Sequence, residues 1–387
     1  MARSKSLKVV RWLAAASLLL LAGCSEGDNE GCPATGVPGT PTAAAQTYVW
    51  PGDDWEVSTP EAEGMDAARL EDVAAYCEEH GCRAVVIVRH GRIAWGRYWG
   101  GWDENSTDNS WSMAKSITSA LVGIAIAQGK IKSLDESAAD FIPEWRGTDK
   151  EQITLRDLLS MRSGLLWDED YEKPSDVITM FGSDDDVGYA VSRPLYRKPG
   201  SDWYYSSGDT EIVSRILKAA TGMEAREYAE RKLFGPIGMK GVDWAVDKAG
   251  QTMTYCCAHT TARNFARFGY LFLRNGRWGD TQVVPEQWVR ESTQPSQWQN
   301  PAWAGVSGNG DDRSQPSGGR PGYGYYWWLL NFPDAPEDMY MAMGIETKRI
   351  YVIPSLDLVA VRLGEGDSDW NDDEFIKPVV EAVTGEQ

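Results

Sequence analysis

Histidine is scarce in this chain. There are three, His80, His90 and His259, far apart and without HExxH spacing, so a multi-histidine metal site is not expected. Positive charge is also short: 38 basic residues face 57 acidic ones, for a formal charge of −19. Affinity for nucleic acid comes mainly from cations on phosphate, so nucleic acid is excluded as an expected partner. A second long apolar run is missing, which argues against a polytopic membrane protein. Gly-x-Ser-x-Gly is absent, so no nucleophile elbow is offered. GIAIAQGK imitates a phosphate loop but has one residue too many and sits within a helical pattern. No CxxC pair occurs either.

Tryptophan, by contrast, is abundant at 18, and 387 residues allow a large buried core and one to three domains. Residues 1–11 carry Arg3, Lys5, Lys8 and Arg11 and no acid. The apolar stretch Leu13 to Ala22 follows, then Gly23 and Cys24. A basic start and a short apolar run read as a secretory signal over 1–23, because the run is too short for a comfortable span. Leu21-Ala22-Gly23-Cys24 resembles a bacterial lipobox, which makes Cys24 the expected acylated first residue of the mature protein. Several acyl chains together give stable anchoring. The implied location is the cell envelope, facing the periplasm. Ser25 after the cysteine points to the outer membrane. Cleavage there removes four basic residues and no acid, which deepens the negative charge by four. Residues 24–50 read as a flexible Gly/Pro/Thr/Ala tether. Of the remaining cysteines, Cys32, Cys77, Cys82, Cys256 and Cys257, the pair Cys77 and Cys82 flanks a turn. That pair is readable as a bridge or as two buried thiols.

Met65 to Tyr76 has helical spacing. Arg83 to His90 and Arg92 to Trp99 read as strands joined by a tight turn at Gly91. Helical patterns follow at 112–128, 154–161, 210–220, 226–233, 261–273 and 286–291. Strand patterns return at 325–330, 339–344, 349–353 and 358–363, before a closing helix at 373–383. Strands at both ends with helices between imply an α/β fold of the α+β type. Its mainly antiparallel sheet is built from both chain ends (51–111 and 300–387) and flanked by helices, and a mostly helical subdomain (112–299) is inserted.

Met113, Ile117, Leu121 and Ile124 recur at helical spacing, so the helix opened by Trp111-Ser112-Met113-Ala114-Lys115 is buried. Ser112 then lies in its first turn, with Lys115 at i+3 on the same face. A serine hydroxyl attacks well only if a base takes its proton. Burial and the positive end of a helix dipole both lower a lysine pKa, which suits Lys115 to that task. Ser-x-x-Lys alone is weak, since about one occurrence is expected by chance. A lysine on a strongly apolar helix, however, needs a reason. Trp203-Tyr204-Tyr205-Ser206-Ser207 follows Pro199-Gly200, and a tyrosine on a turn near a lysine can act as general base.

Together these segments resemble the beta-lactamase-related serine hydrolases, whose penicillin-recognising signature includes Ser-x-x-Lys. The resemblance is carried by WSMAKSITSALVGIAIAQGKIKSLDE, ITLRDLLSMRSGL, KPGSDWYYSSGDTEIVSRIL, LFGPIGM, TTARNFARFGYLFLRNG, GYGYYWWL and RIYVIPSLDLVAVRLG, collinear from about residue 60 to 365. It implies a beta-lactamase/transpeptidase-like fold, closest to the aminohexanoate-dimer hydrolase branch. It also implies Ser112 as nucleophile, Lys115 as its activating partner and Tyr205 in the family's Tyr-x-Asn motif, with Tyr204 as the competing register. Ser207 stands where Asn is usual and remains a candidate substrate contact. The Lys-Thr-Gly motif is here Ala342-Met343-Gly344. By resemblance Gly344 borders substrate and the N–H of Ile345 joins that of Ser112 in an oxyanion hole. Lys348 could replace the missing lysine, but a solvent-facing position is the plainer expectation. Tyr171, Trp167, Tyr326 and Trp328 are candidate pocket walls. The expected partner is a small ester or amide, with no metal and no cofactor. A DD-peptidase, a beta-lactamase or an inactive peptide- or glycan-binding member are the rival readings.

Overall fold

The computed structural model describes residues 48–295, 322–330, 332–367 and 369–385. Cys24, Cys32, the expected signal and residues 24–47 of the expected tether lie outside them, whereas Tyr48 to Trp50, also expected in the tether, are packed: the Val49 carbonyl accepts from the Tyr270 hydroxyl (2.7 Å) and the Trp50 ring lies 5.7 Å from that of Tyr270. Among the described residues the chain opens with helix α1 (Ala67–Glu79), whose N-cap Asp66 accepts from the Ala68 N–H. The hairpin β1 (Cys82–Arg89) and β2 (Arg92–Tyr98) follows, then the short strand β3 (Thr107–Asn109) and helix α2 (Met113–Ala127). Next come helices α3 (Leu155–Leu159), α4 (Asp176–Phe181), α5 (Asp186–Ser192), α6 (Ser207–Thr221) and α7 (Ala225–Ala229). Strands β4 (Asp243–Trp244) and β5 (Ala258–Thr261) precede helix α8 (Ala262–Leu273), the hairpin β6 (Arg277–Trp278) and β7 (Thr281–Gln282), and helix α9 (Glu286–Ser292). The last strands are β8 (Gly322–Tyr323), β9 (Trp328–Leu329), β10 (Tyr340–Gly344), β11 (Lys348–Ile353) and β12 (Leu358–Gly364), and helix α10 (Asp372–Thr384) follows them.

Seven strands form one antiparallel sheet in the order β2-β1-β12-β11-β10-β9-β8. The N-terminal hairpin therefore docks on the C-terminal strands, as expected from strand patterns at both chain ends. Every residue of β11 and β12 is buried, because helices cover both faces. Neighbours along a strand point to opposite faces. Ile350 meets α8, where a Cβ on Gly269 would sit 2.8 Å from its Cγ2, whereas Tyr351 stacks on Phe375 of α10 at 5.4 Å. The two-sided covering explains why β10 to β12 read as continuous apolar runs rather than as alternating ones.

Several expected elements are shorter. The strand pattern at 325–330 yields only Trp328–Leu329, and 226–233 divides into α7 and a π-helical turn at Glu230–Phe234. Helices α4 and α5 had no clear apolar period. They are nucleated by capping side chains instead: Ser175 accepts from Ile178 N–H and Asp185 from Gly188 N–H. Cys77 and Cys82 are bonded to each other, which joins α1 to β1. Cys256 and Cys257 form a bond between neighbouring residues that the sequence did not suggest.

Candidate active site

Ser112 caps α2, and the chain enters the helix through an unusual turn. Trp111 has φ 42°, a left-handed conformation that costs a non-glycine residue energy. Three contacts hold it there: Trp111 N–H donates to Asn109 Oδ1 (2.9 Å), Ser110 N–H to the Ala258 carbonyl (2.9 Å), and Ala258 N–H to Ser110 Oγ (3.0 Å). The β3–β5 pairing thus fixes the serine in space. Its side chain makes no capping bond. Instead its oxygen accepts from Lys115 Nζ at 2.9 Å.

Lys115 is 1% exposed, because α2 is buried along nearly its whole length. The ammonium also donates to Ser207 Oγ (3.1 Å) and to the Tyr255 carbonyl (3.1 Å), so its three donors are placed. Burial pulls its pKa from 10.5 down to about 8, while the charges of Glu169 and Glu211 resist the fall. At pH 7 roughly one amine in ten is then neutral.

Nζ also lies 5.0 Å from the ring centre of Tyr205, on the chain just before α6. Tyr204 has the other register: its N–H bonds the Met161 carbonyl and its ring is only half-buried. The Tyr205 ring packs on Trp328 (5.4 Å), Tyr323 (6.3 Å) and Trp203 (6.4 Å), which makes an aromatic wall beside the amine.

A carboxylate that sequence reasoning passed over completes the cluster. Glu169 is buried and accepts from Ser207 Oγ (2.5 Å), Ser207 N–H (2.8 Å), Tyr171 OH (2.6 Å) and Trp167 Nε1. Ser207 and Tyr171, expected at the substrate, therefore turn their hydroxyls onto Glu169. No local pattern marks WDEDY as special. Only the fold brings it under α6.

Gly344 ends β10 against the Ser112 segment. A Cβ there would lie 2.6 Å from the Ser110 carbonyl oxygen and 3.4 Å from Ser112 N. Strand β9 pairs with β10 only at Met341–Trp328, so Ala342 to Gly344 line the Ser112 side without a strand partner there among the described residues. Ile345 comes next, and its N–H belongs to the same turn.

Residues 70–376 match the Beta-lactamase family. The chain belongs to that family. It is therefore a member of a group of serine hydrolases that includes esterases, aminohydrolases and DD-peptidases. It is 23% identical over 318 residues to 6-aminohexanoate-dimer hydrolase of Paenarthrobacter ureafaciens, which covers 79% of this chain and 77% of that one. Among solved structures it is similar to the octameric penicillin-binding protein homologue from Pyrococcus abyssi (TM-score 0.61, 16% identity, 83% and 78% covered). It is likewise similar to EstCE1, a hydrolase with promiscuous acyltransferase activity (TM-score 0.65, 14% identity, 84% and 98% covered). These structural likenesses establish a beta-lactamase/transpeptidase-like fold.

One expectation fails within this frame. Lys348 does not face solvent. It is 2% exposed and is held by Asp108 (2.6 Å) and Glu346 (3.0 Å), because β11 is covered on both faces. Among the described residues no group of His, Cys, Asp and Glu is arranged to hold a metal ion.

Proposed function

We propose that the protein cleaves small esters or amides through an acyl-enzyme on Ser112, with Lys115 and Tyr205 as the proton-handling pair. The observation that carries this is the 2.9 Å contact between Ser112 Oγ and the amine of a buried lysine whose pKa has fallen to about 8. Such an amine is close to the neutral form that activates a hydroxyl near physiological pH.

Ser112 Oγ attacks the carbonyl carbon while its proton passes to the Lys115–Tyr205 pair. The carbonyl oxygen becomes an oxyanion, held by the N–H groups of Ser112 and Ile345. Each such donor is typically worth about 3 kcal/mol. Collapse breaks the bond to the alcohol or amine, which leaves with the proton. Water then attacks the acyl-enzyme, gives its proton to the same pair and frees the acid and Ser112. Ser207, itself bonded to Glu169, accepts from the amine and holds it in place. The similarity to 6-aminohexanoate-dimer hydrolase supports an amide among the substrates. Lipid anchoring through Cys24 at the envelope is the accompanying proposal. A mass for the N-terminal peptide without acyl chains would refute it.

The test is labelling by a fluorophosphonate probe and turnover of p-nitrophenyl butyrate. Both are expected in the wild type and lost in Ser112→Ala with the thermal transition retained. Equal turnover by the two proteins would overturn the reading.

A further inference from the structure

The rim beside Ser112 is acidic. Glu346 follows the Gly344–Ile345 turn, and its side chain remains 44% exposed. Its carboxylate is tied to the nucleophile segment, because Trp111 Nε1 donates to Glu346 Oε2 at 2.7 Å. One indole therefore separates this charge from the serine. Both Glu346 (φ 58°) and Thr347 (φ 55°) are left-handed, so the turn that presents the carboxylate is set by the backbone. The loop after β12 leans on the same residue: a Cβ on Gly366 would lie 3.3 Å from Glu346 Cα. That loop carries Glu365, Asp367 and Asp369, of which Glu365 is paired with Arg83 and Asp367 with His80.

The cation beside Glu346 is withheld from a ligand. Lys348 is buried between Asp108 and Glu346, so the three side chains sum to one negative charge, and only the carboxylate of Glu346 is substantially open to solvent. Burial pushes the Glu346 carboxyl up, but the hydrogen bonds from Trp111 and Lys348 and the charges of Lys348 and Arg362 outweigh it and hold it ionised.

We infer that Glu346 is a specificity-determining residue that selects esters or amides carrying a cationic group near the scissile bond and disfavours those carrying a carboxylate. This rests on the serine-hydrolase reading above and names a substrate class for that site. The field of one carboxylate bonded to the indole next to the serine, partly screened by water, favours an ammonium over a carboxylate by about fivefold.

The test uses two series of p-nitrophenyl and aryl esters. In one the acyl chain, and in the other the aryl leaving group, carries a trimethylammonium, a tert-butyl or a carboxylate. The ratio of kcat/KM for ammonium over carboxylate is measured in the wild type and in Glu346→Gln, which keeps an acceptor for Trp111. In at least one series the ratio should exceed one and drop about fivefold in the variant. In the wild type alone it should also shrink as salt is raised from about 0.01 to 1 M, because screening shortens the reach of the charge. The salt series needs no variant to fold. Turnover of the neutral ester with a ratio that neither the substitution nor salt moves overturns the charge selection alone. A wild type inert to every ester and to the fluorophosphonate overturns the hydrolase reading, and this inference with it.

Discussion

Replacing Glu169 by Gln should move the acid side of the pH–rate profile to lower pH. Ser207 Oγ lies 3.1 Å from Lys115 Nζ and 2.5 Å from Glu169 Oε1, so the carboxylate and the amine are no more than about 6 Å apart. At an effective dielectric near 20, a unit charge at that distance changes the free energy of the ammonium by about 3 kcal/mol, or about two pH units. Glu211 remains and the site relaxes, so a shift of one to two units is expected. The sign is set by the amine. Glu169 raises the Lys115 pKa, and its loss lets burial pull that pKa further below about 8. The neutral amine then persists to lower pH, and activity persists with it. The assay is kcat/KM for p-nitrophenyl butyrate between about pH 5 and 10, with the thermal transition as a folding control. Four hydrogen bonds end on Glu169, so the variant should also lose about 1–3 kcal/mol of stability. A folded variant whose acid limb stays at the wild-type pH would show that this carboxylate does not govern the amine, and the argument for the buried relay would fail.

Tyr205→Phe keeps the ring packing on Trp328 but removes the phenol, and kcat is expected to fall by about 10²–10⁴ with little change in thermal stability; a loss under tenfold would assign proton transfer to Lys115 alone. Gly344→Ala puts a methyl 2.6 Å from the Ser110 carbonyl, a backbone atom that cannot swing aside, so kcat should drop about a hundredfold as the strand end moves away from Ser112. Turnover of p-nitrophenyl butyrate at the wild-type rate would contradict that close packing. Asp209 is buried, and Oδ2 has no hydrogen-bond partner among the described residues. Burial raises its pKa from 3.8 to about 7. The folded state therefore holds a proton that the unfolded chain releases between about pH 4 and 7, and this group's contribution to stability is lost as pH rises through that window. Asp209→Asn should be more stable than wild type at pH 8 by about 1–3 kcal/mol, with the gain gone below about pH 4. An equal gain at both ends of the pH range in chemical denaturation would disprove the burial argument.

The sheet was legible where strands are buried on both faces. Runs such as Arg349–Ile353 and Leu358–Leu363 leave little alternative, and their position after a long helical stretch already implied that the chain ends meet. The helices at 176–181 and 186–192 were not legible. They are short, and their stability comes from the capping of Ser175 and Asp185 and from packing around α6 rather than from an apolar period of their own. Trp328 was expected within a six-residue strand. It occupies a two-residue strand, because Tyr326 is left-handed (φ 62°) and the Gly324 N–H turns onto the Trp327 carbonyl, which breaks the strand before Trp328.

Ser112 and Lys115 share a helix turn, so their contact is local geometry and could be read from spacing alone. The charge state of that amine could not, because it depends on carboxylates 54 and 96 positions away, Glu169 and Glu211, and on how much water the fold removes. The same division applies at Gly344. A glycine at a strand end is visible in the sequence, but the Ser110 carbonyl that excludes a side chain there comes from a segment more than 200 residues earlier. Short-range order follows from propensity and period, whereas desolvation and charge are sums over everything the tertiary fold brings close, and no stretch of sequence contains that sum.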